Sequence, residues 1–287
     1  MMPVQPVPVM ATDPNYTGAP MMMPPYMPTN LINTPQNFIY FQDPMTEIAQ
    51  SSGAIIRQQV ELLEAVTGCE TQNRYHVFLQ TPMGLKYAFK CNERSVGCAR
   101  CCLSGSTRPL QMVIRHVISF DQIDSDLAKI FINIDKPCTC GCCCLCRPYM
   151  DIFLADNNQY VGKVREPCTC CDNDVEIYDA SGNFRYLITG DCCQLGLCCG
   201  SDVEKLANIR FDILEGGSLV GGMKKLAASS FGEFFTKADS YQVNFPANAT
   251  PQEKILLIVA GLMIDYQFFE NSSNDETPMR GYHHPYY

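Results

Sequence analysis

The chain has 287 residues, a net charge of −9 and no run of lysine or arginine. That balance excludes a surface that binds nucleic acid by neutralising phosphates, and it excludes a polybasic membrane anchor. An apolar fraction of 46% is ordinary and suffices for a sizeable core, in one large all-β domain or two small ones.

Residues 1–44 are rich in proline and methionine and poor in charge. Such a segment is expected to be a disordered arm with polyproline-II character. The pairs Pro3 and Pro6, and Pro25 and Pro28, have the PxxP spacing that SH3- and WW-type grooves accept. The same spacing arises in any proline-rich spacer. No basic segment followed by an apolar stretch opens the chain, so no secretory leader is expected. The default compartment is then reducing, where disulfides are rare.

From about Asp43 the composition changes and hairpins begin. "YHVFLQTPMGLKYAF" places Tyr75, Val77 and Leu79 on one strand face. A turn at 81–84 follows, with Leu85, Tyr87 and Phe89 on one face of the return strand. "MDIFLADNNQYVGKV" repeats the scheme with Met150, Ile152 and Leu154, then Tyr160 and Val164. "VEIYDASGNFRYLI" repeats it with Val175 and Ile177, then Phe184, Tyr186 and Ile188. A fourth copy turns at Gly216 and Gly217. Alternating apolar residues separated by Asn, Asp and Gly turns predict antiparallel hairpins with one buried face. Further strand patterns at 54–62, 111–120, 129–135 and 241–245 bring the total to about a dozen, typical of a closed barrel or a sandwich.

Between the hairpins, "DKPCTCGCCCLCRPY" holds six cysteines, Cys138, Cys140, Cys142, Cys143, Cys144 and Cys146, between two prolines. Sulfur this dense could be cross-linked, metal-bound or acylated. Two or more acyl chains anchor a protein stably where one does not. The C-x-x-C spacings at Cys98 and Cys101 and at Cys168 and Cys171 suit tetrahedral thiolate ligation of Zn²⁺. No histidine joins them.

One segment is helical instead. "TPQEKILLIVAGLMIDYQFFE" begins with Thr250 as N-cap, Pro251 at the first helical position and Glu253 three residues after the cap, a capping box. Its run from Ile255 to Ile264 is apolar on every side, so the helix is buried in protein or in lipid. At 1.5 Å per residue the run covers ~15 Å, about half of a hydrocarbon core. The expectation is a helix over 255–269 inside the β-structure, with Leu256, Ile258, Leu262 and Phe269 against Val77, Ile152, Ile177 and Phe211. The competing reading is a single span with a cytoplasmic N-terminus, since Lys254 precedes the run while Asp265 and Glu270 lie at or beyond its end.

The motifs "IIRQQVELLEAVTGCETQNRY" (55–75), the clustered cysteines at 138–146, "FTKADSYQVNFP" (235–246) and "LMIDYQFFE" (262–270), in this order, resemble the phospholipid scramblase family over about residues 45–270. The resemblance implies a mainly β, tubby-like fold: a twelve-stranded antiparallel barrel around a hydrophobic C-terminal helix, with a polar tail at 271–287. It implies ATP-independent, bidirectional movement of phospholipids between leaflets, stimulated by Ca²⁺, and no enzymatic chemistry. The alternative is a lipid-anchored adaptor that recruits partners through its arm. It further implies palmitate on the six clustered cysteines and a place on the cytoplasmic face of the plasma membrane. The family's acidic Ca²⁺ positions fall here on Lys237, Asp239 and Asn248, with Tyr241 and Val243 between them. Only Asp239 keeps a carboxylate, and Ca²⁺ affinity rises with ligand charge, so binding at Asp239, Tyr241, Val243 and Asn248 is expected to be weak.

Overall fold

The computed structural model describes residues 43–59, 72–94, 108–119, 122, 126–139, 146–169, 173–190, 209–226 and 240–268. The proline-rich arm and the polar tail lie outside them. A short helix, α1 (Pro44–Gln50), precedes twelve strands. These are β1 (Gly53–Gln58), β2 (Arg74–Thr81), β3 (Gly84–Glu93), β4 (Leu110–His116), β5 (Lys129–Lys136) and β6 (Tyr149–Leu154). They continue with β7 (Tyr160–Arg165), β8 (Val175–Asp179), β9 (Phe184–Thr189), β10 (Arg210–Glu215), β11 (Ser218–Leu226) and β12 (Ser240–Asn244). Helix α2 (Pro251–Phe268) follows. Every strand pairs antiparallel with its neighbours in sequence, and β12 returns to β1, closing the barrel. Closure leaves no unpaired edge.

Helix α2 fills the barrel. Residues 253 to 266 are all buried, and Leu256, Ile258 and Leu262 share one core with Val77, Ile152, Ile177 and Phe211. The expected packing partners are therefore assembled, while Phe269 lies outside the described residues. Close approach of helix to wall needs a glycine on each side. A Cβ on Gly261 would sit 2.6 Å from Ile56 Cδ1, and one on Gly162 would sit 2.9 Å from Leu256 Cδ1. Gly162 also has φ 152°, a backbone that L side chains rarely adopt.

The capping box forms as its sequence requires. The Thr250 amide donates to Glu253 Oε2 (2.8 Å) and the Glu253 amide to Thr250 Oγ1 (3.3 Å). Burial alone would raise the Glu253 pKa, but its bonds to Thr250 and to Arg185 (2.6 Å) outweigh that and hold it low. Lys254, read from sequence as a cytoplasmic flank, is instead buried. Its ammonium donates to the carbonyls of Ile48, Ala49 and Ser51 at 3.2, 2.9 and 2.7 Å, satisfying the C-terminal end of α1. No helix among the described residues is long and apolar enough to cross a membrane.

Helix α1 was not anticipated, although "DPMTE" carries its signal. Asp43 caps it by accepting from the amides of Met45 and Thr46, and Pro44 takes the first helical position. Glu47 on α1 is buried, and one of its oxygens accepts from Lys86 (2.6 Å) and contacts His116 Nε2 (3.2 Å).

Lys86 points inward because of a β-bulge, and here simple alternation fails. Val77 pairs with Phe89 but Phe78 pairs with Tyr87, so Ala88 is an extra residue. Lys86 then stands beside inward Leu79, and Tyr87 turns outward against Phe78. The expected single face of Leu85, Tyr87 and Phe89 is therefore split. The same device at Ile152/Phe153 and Ile177/Tyr178 sends Tyr160 and Phe184 outward, where alternation had placed them with Val164 and with Tyr186. A bulge adds one residue to one strand and reverses the inside–outside phase beyond it.

Candidate functional site

The two rims of the barrel differ in kind. One carries α1, the start of α2 and the hairpin turns. The other carries the end of α2 and the connections β1–β2, β3–β4, β5–β6, β7–β8, β9–β10 and β11–β12. Register fixes this: Gln58 pairs with Tyr75, Leu110 with Lys136, Tyr149 with Arg165 and Val175 with Ile188. Of the 18 cysteines, every one except Cys91 falls in connections that leave from this second rim. Cys91 is buried in the core, and burial pushes its thiol pKa up, so it is an unreactive packing residue.

The rim is built on buried polar groups around the end of α2. Asp265 is 2% exposed and accepts from Tyr75 Oη and Tyr241 Oη, both at 2.7 Å. A carboxyl group buried this deeply needs such partners, and the barrel wall supplies them. Next to it, Arg108 Nε donates to Tyr266 Oη, and the guanidinium lies 4.9 Å over the Tyr266 ring and 3.7 Å from Glu93. Lys136 donates to the Arg108 carbonyl at 2.7 Å. These contacts tie the starts of the β3–β4 and β5–β6 connections to α2. Sequence reading missed Arg108, Glu93 and Lys136, because a charged residue at a strand end reads as solvated.

The cysteine cluster hangs from this platform. Cys138 and Cys146 are exposed and neither is in a disulfide. Cys140, Cys142, Cys143 and Cys144 lie outside the described residues. Immediately after the cluster, Arg147 pairs with Glu166, and the Glu166 amide donates to the Pro148 carbonyl at 3.0 Å. The β5–β6 and β7–β8 connections are thereby held side by side.

Of the C-x-x-C positions, Cys98, Cys101 and Cys171 lie outside the described residues. Cys168 is exposed and in a disulfide, a state in which its sulfur is no thiolate ligand. That bond departs from the expectation that disulfides are rare here. Among the described residues no group of three or more His, Cys, Asp or Glu side chains could hold a metal.

Of the four calcium positions, Tyr241, Val243 and Asn248 lie among the described residues and Asp239 does not. Tyr241 and Val243 face the core from β12, which pairs on both sides with β1 and β11. Asn248 is exposed beyond the opposite end of that strand, and Asp239, outside the described residues, precedes its start. Ca²⁺ needs six to eight oxygens around one point. With the Tyr241 and Val243 side chains in the core, Asp239 is the one carboxylate left among the four positions, in keeping with the expectation of weak binding. Titration calorimetry on the full chain is expected to show no micromolar Ca²⁺ binding that Asp239→Ala removes.

Fold and rim together define a class: an antiparallel barrel closed on twelve strands and plugged by its own C-terminal helix, with 17 of its 18 cysteines in the connections of one rim. The chain belongs to the Scramblase family, whose profile matches residues 34–271. It is 28% identical over 262 residues to human phospholipid scramblase 1, covering 90% of this chain and 73% of that protein. It is 28% identical over 271 residues to bovine phospholipid scramblase 2, covering 93% and 82%. To mouse phospholipid scramblase 1 it is 26% identical over 260 residues, covering 90% and 70%. No solved structure matches it.

Proposed function

We propose that this protein works on phospholipid bilayers, promoting exchange of phospholipids between leaflets without ATP and in both directions, while anchored by palmitate on the 138–146 cluster at the cytoplasmic face of the plasma membrane. The observation that carries the reading is the segregation of the cysteines to one rim in a chain whose relatives are named phospholipid scramblases. Acylation there would hold that rim at the bilayer, at ~0.8 kcal/mol per buried CH₂. Cys138 and Cys146, at the two ends of the cluster, are exposed and within reach of an acyltransferase.

The interior constrains the mechanism. A barrel packed with an apolar helix offers a headgroup no polar path, so exchange would occur along its outside, where protein disturbs lipid packing. Ca²⁺ stimulation through 239–248 would be weak, since Asp239 is the one carboxylate among its ligand positions. The same solid interior supports the second reading, a lipid-anchored adaptor that recruits SH3- or WW-type partners through residues 1–44. Zn²⁺ on the remaining cysteines is the rival use of the rim.

Two measurements separate these readings. Replacing the six clustered cysteines with serine is expected to move the protein from the membrane to the soluble fraction and to remove hydroxylamine-sensitive acyl mass. Unchanged partitioning with no thioester would sink the anchor. The acylated full chain in liposomes with a fluorescent phospholipid should make both leaflets accessible to an impermeant quencher. Protection of the inner leaflet would leave the adaptor reading.

A further inference from the structure

The outside of the barrel is not uniform. Strands β6 to β9 present Tyr149, Phe153, Tyr160, Tyr178 and Phe184 outward, opposite core residues such as Met150, Ile152 and Ile177. They form one connected surface. Phe153 packs on Tyr160 at 5.4 Å and Tyr178 on Phe184 at 5.8 Å between ring centroids. Lys163, paired in register with both Asp151 and Tyr178, joins the two halves. Its ammonium lies 4.4 Å over the Tyr149 ring, and Arg165 lies 5.1 Å over Tyr178. Phe184 is 47% exposed. Two of these rings, Tyr160 and Phe184, reach the outside only because bulges send them there.

Aromatic rings with a polar tip, interleaved with Lys and Arg, are the side chains that settle at the boundary between headgroups and acyl chains. Their apolar bodies enter the lipid while hydroxyl and cationic ends stay wet. The charges on this face balance locally: Lys163 stands against Asp151 at 3.6 Å and Arg165 against Glu176. A balanced, aromatic surface fits the zwitterionic interfacial zone better than an acidic or basic protein partner. Tyr149 opens β6 at the cysteine rim, three residues after Cys146, while Phe153, Tyr160, Tyr178 and Phe184 lie toward the hairpin-turn rim, so the face would lie along the bilayer. A tether at the cluster would bring this side of the barrel down first.

We infer that the outer face of β6–β9 is a lipid-docking surface that lies in the headgroup zone of a phospholipid bilayer. This rests on the acyl-anchored reading only for its delivery to the membrane. The chain has no tryptophan, so a single substitution makes a clean reporter. Phe184→Trp reports on the proposed face. Phe78→Trp, outward on β2 halfway round the ring, reports on the opposite side. The acylated full-length variants are bound to phosphatidylcholine–phosphatidylserine vesicles carrying brominated acyl chains. The expected result is a blue shift and loss of emission for Phe184→Trp, and neither for Phe78→Trp.

Bound protein in which Phe78→Trp is quenched as strongly, or Phe184→Trp is not, overturns the docking face and leaves the anchor intact. If the six-serine variant still binds with Phe184→Trp quenched, the face stands and the anchor fails. Absence of binding in every form overturns both. A blue shift without bromine quenching, together with concentration-dependent association, would make the face a protein interface and overturn its assignment to lipid.

Discussion

Removal of the chain from Thr250 onward is expected to abolish the folded barrel. Helix α2 contributes eight large aliphatic side chains to the core, each at most 3% exposed. Full burial of one such side chain stabilises by about 1.5–3 kcal/mol. Eight of them together match or exceed the ~5–15 kcal/mol by which a whole domain is stable. Without α2 the barrel would also enclose a void lined by Val77, Ile152, Ile177 and Phe211, and collapse of a closed, hydrogen-bonded ring is limited. Loss of Lys254 would strip α1 of its cap as well. The test is far-UV circular dichroism with urea titration of residues 1–249 against the full chain. A truncated protein with native strand signal and a cooperative transition would show that the helix is dispensable to the fold, as a membrane span would be.

The architecture was legible because its two signals are independent. The hairpins carry period-two patterns with turn residues at fixed places, and α2 carries a cap, a proline and an apolar run. A helix apolar on all sides but too short for lipid has to be surrounded by protein. What alternation could not supply was phase. The bulges leave no mark at Ala88, Val161 or Arg185, yet each decides which side chains beyond it face the core. Those unread positions built the outer aromatic surface and put Lys86 against Glu47. The rim was half legible. Clustered sulfur is plain in the sequence, but its gathering at one end depends on strand direction. In an antiparallel ring, alternate connections share a rim, and the cysteines occupy one alternate set. The segment "SYQVN" (240–244) alternates as a strand does and forms β12, which turns Tyr241 and Val243 to the core.

The second large effect is expected at Asp265, where a carboxylate of the helix meets two phenols of the wall. Both phenols donate to the Asp265 carboxyl at 2.7 Å, and a buried hydrogen bond contributes about 0.5–1.5 kcal/mol. They also fix rotation: Tyr75 on β2 and Tyr241 on β12 lie on either side of β1, so only one angular setting of α2 satisfies both. Asp265→Leu keeps the branching of the side chain but removes the acceptor, leaving two buried hydroxyls without it. A buried hydroxyl that loses its acceptor costs about 1–3 kcal/mol, and the urea midpoint should fall accordingly. Asp265→Asn retains one acceptor oxygen and should cost less. The decisive variant combines Asp265→Leu with Tyr75→Phe and Tyr241→Phe. If the loss comes from orphaned hydroxyls, the triple variant should recover much of it, because an apolar replacement of the whole cluster leaves nothing unsatisfied. If it comes from misfit of leucine in the core, the triple variant should be no more stable than the single one.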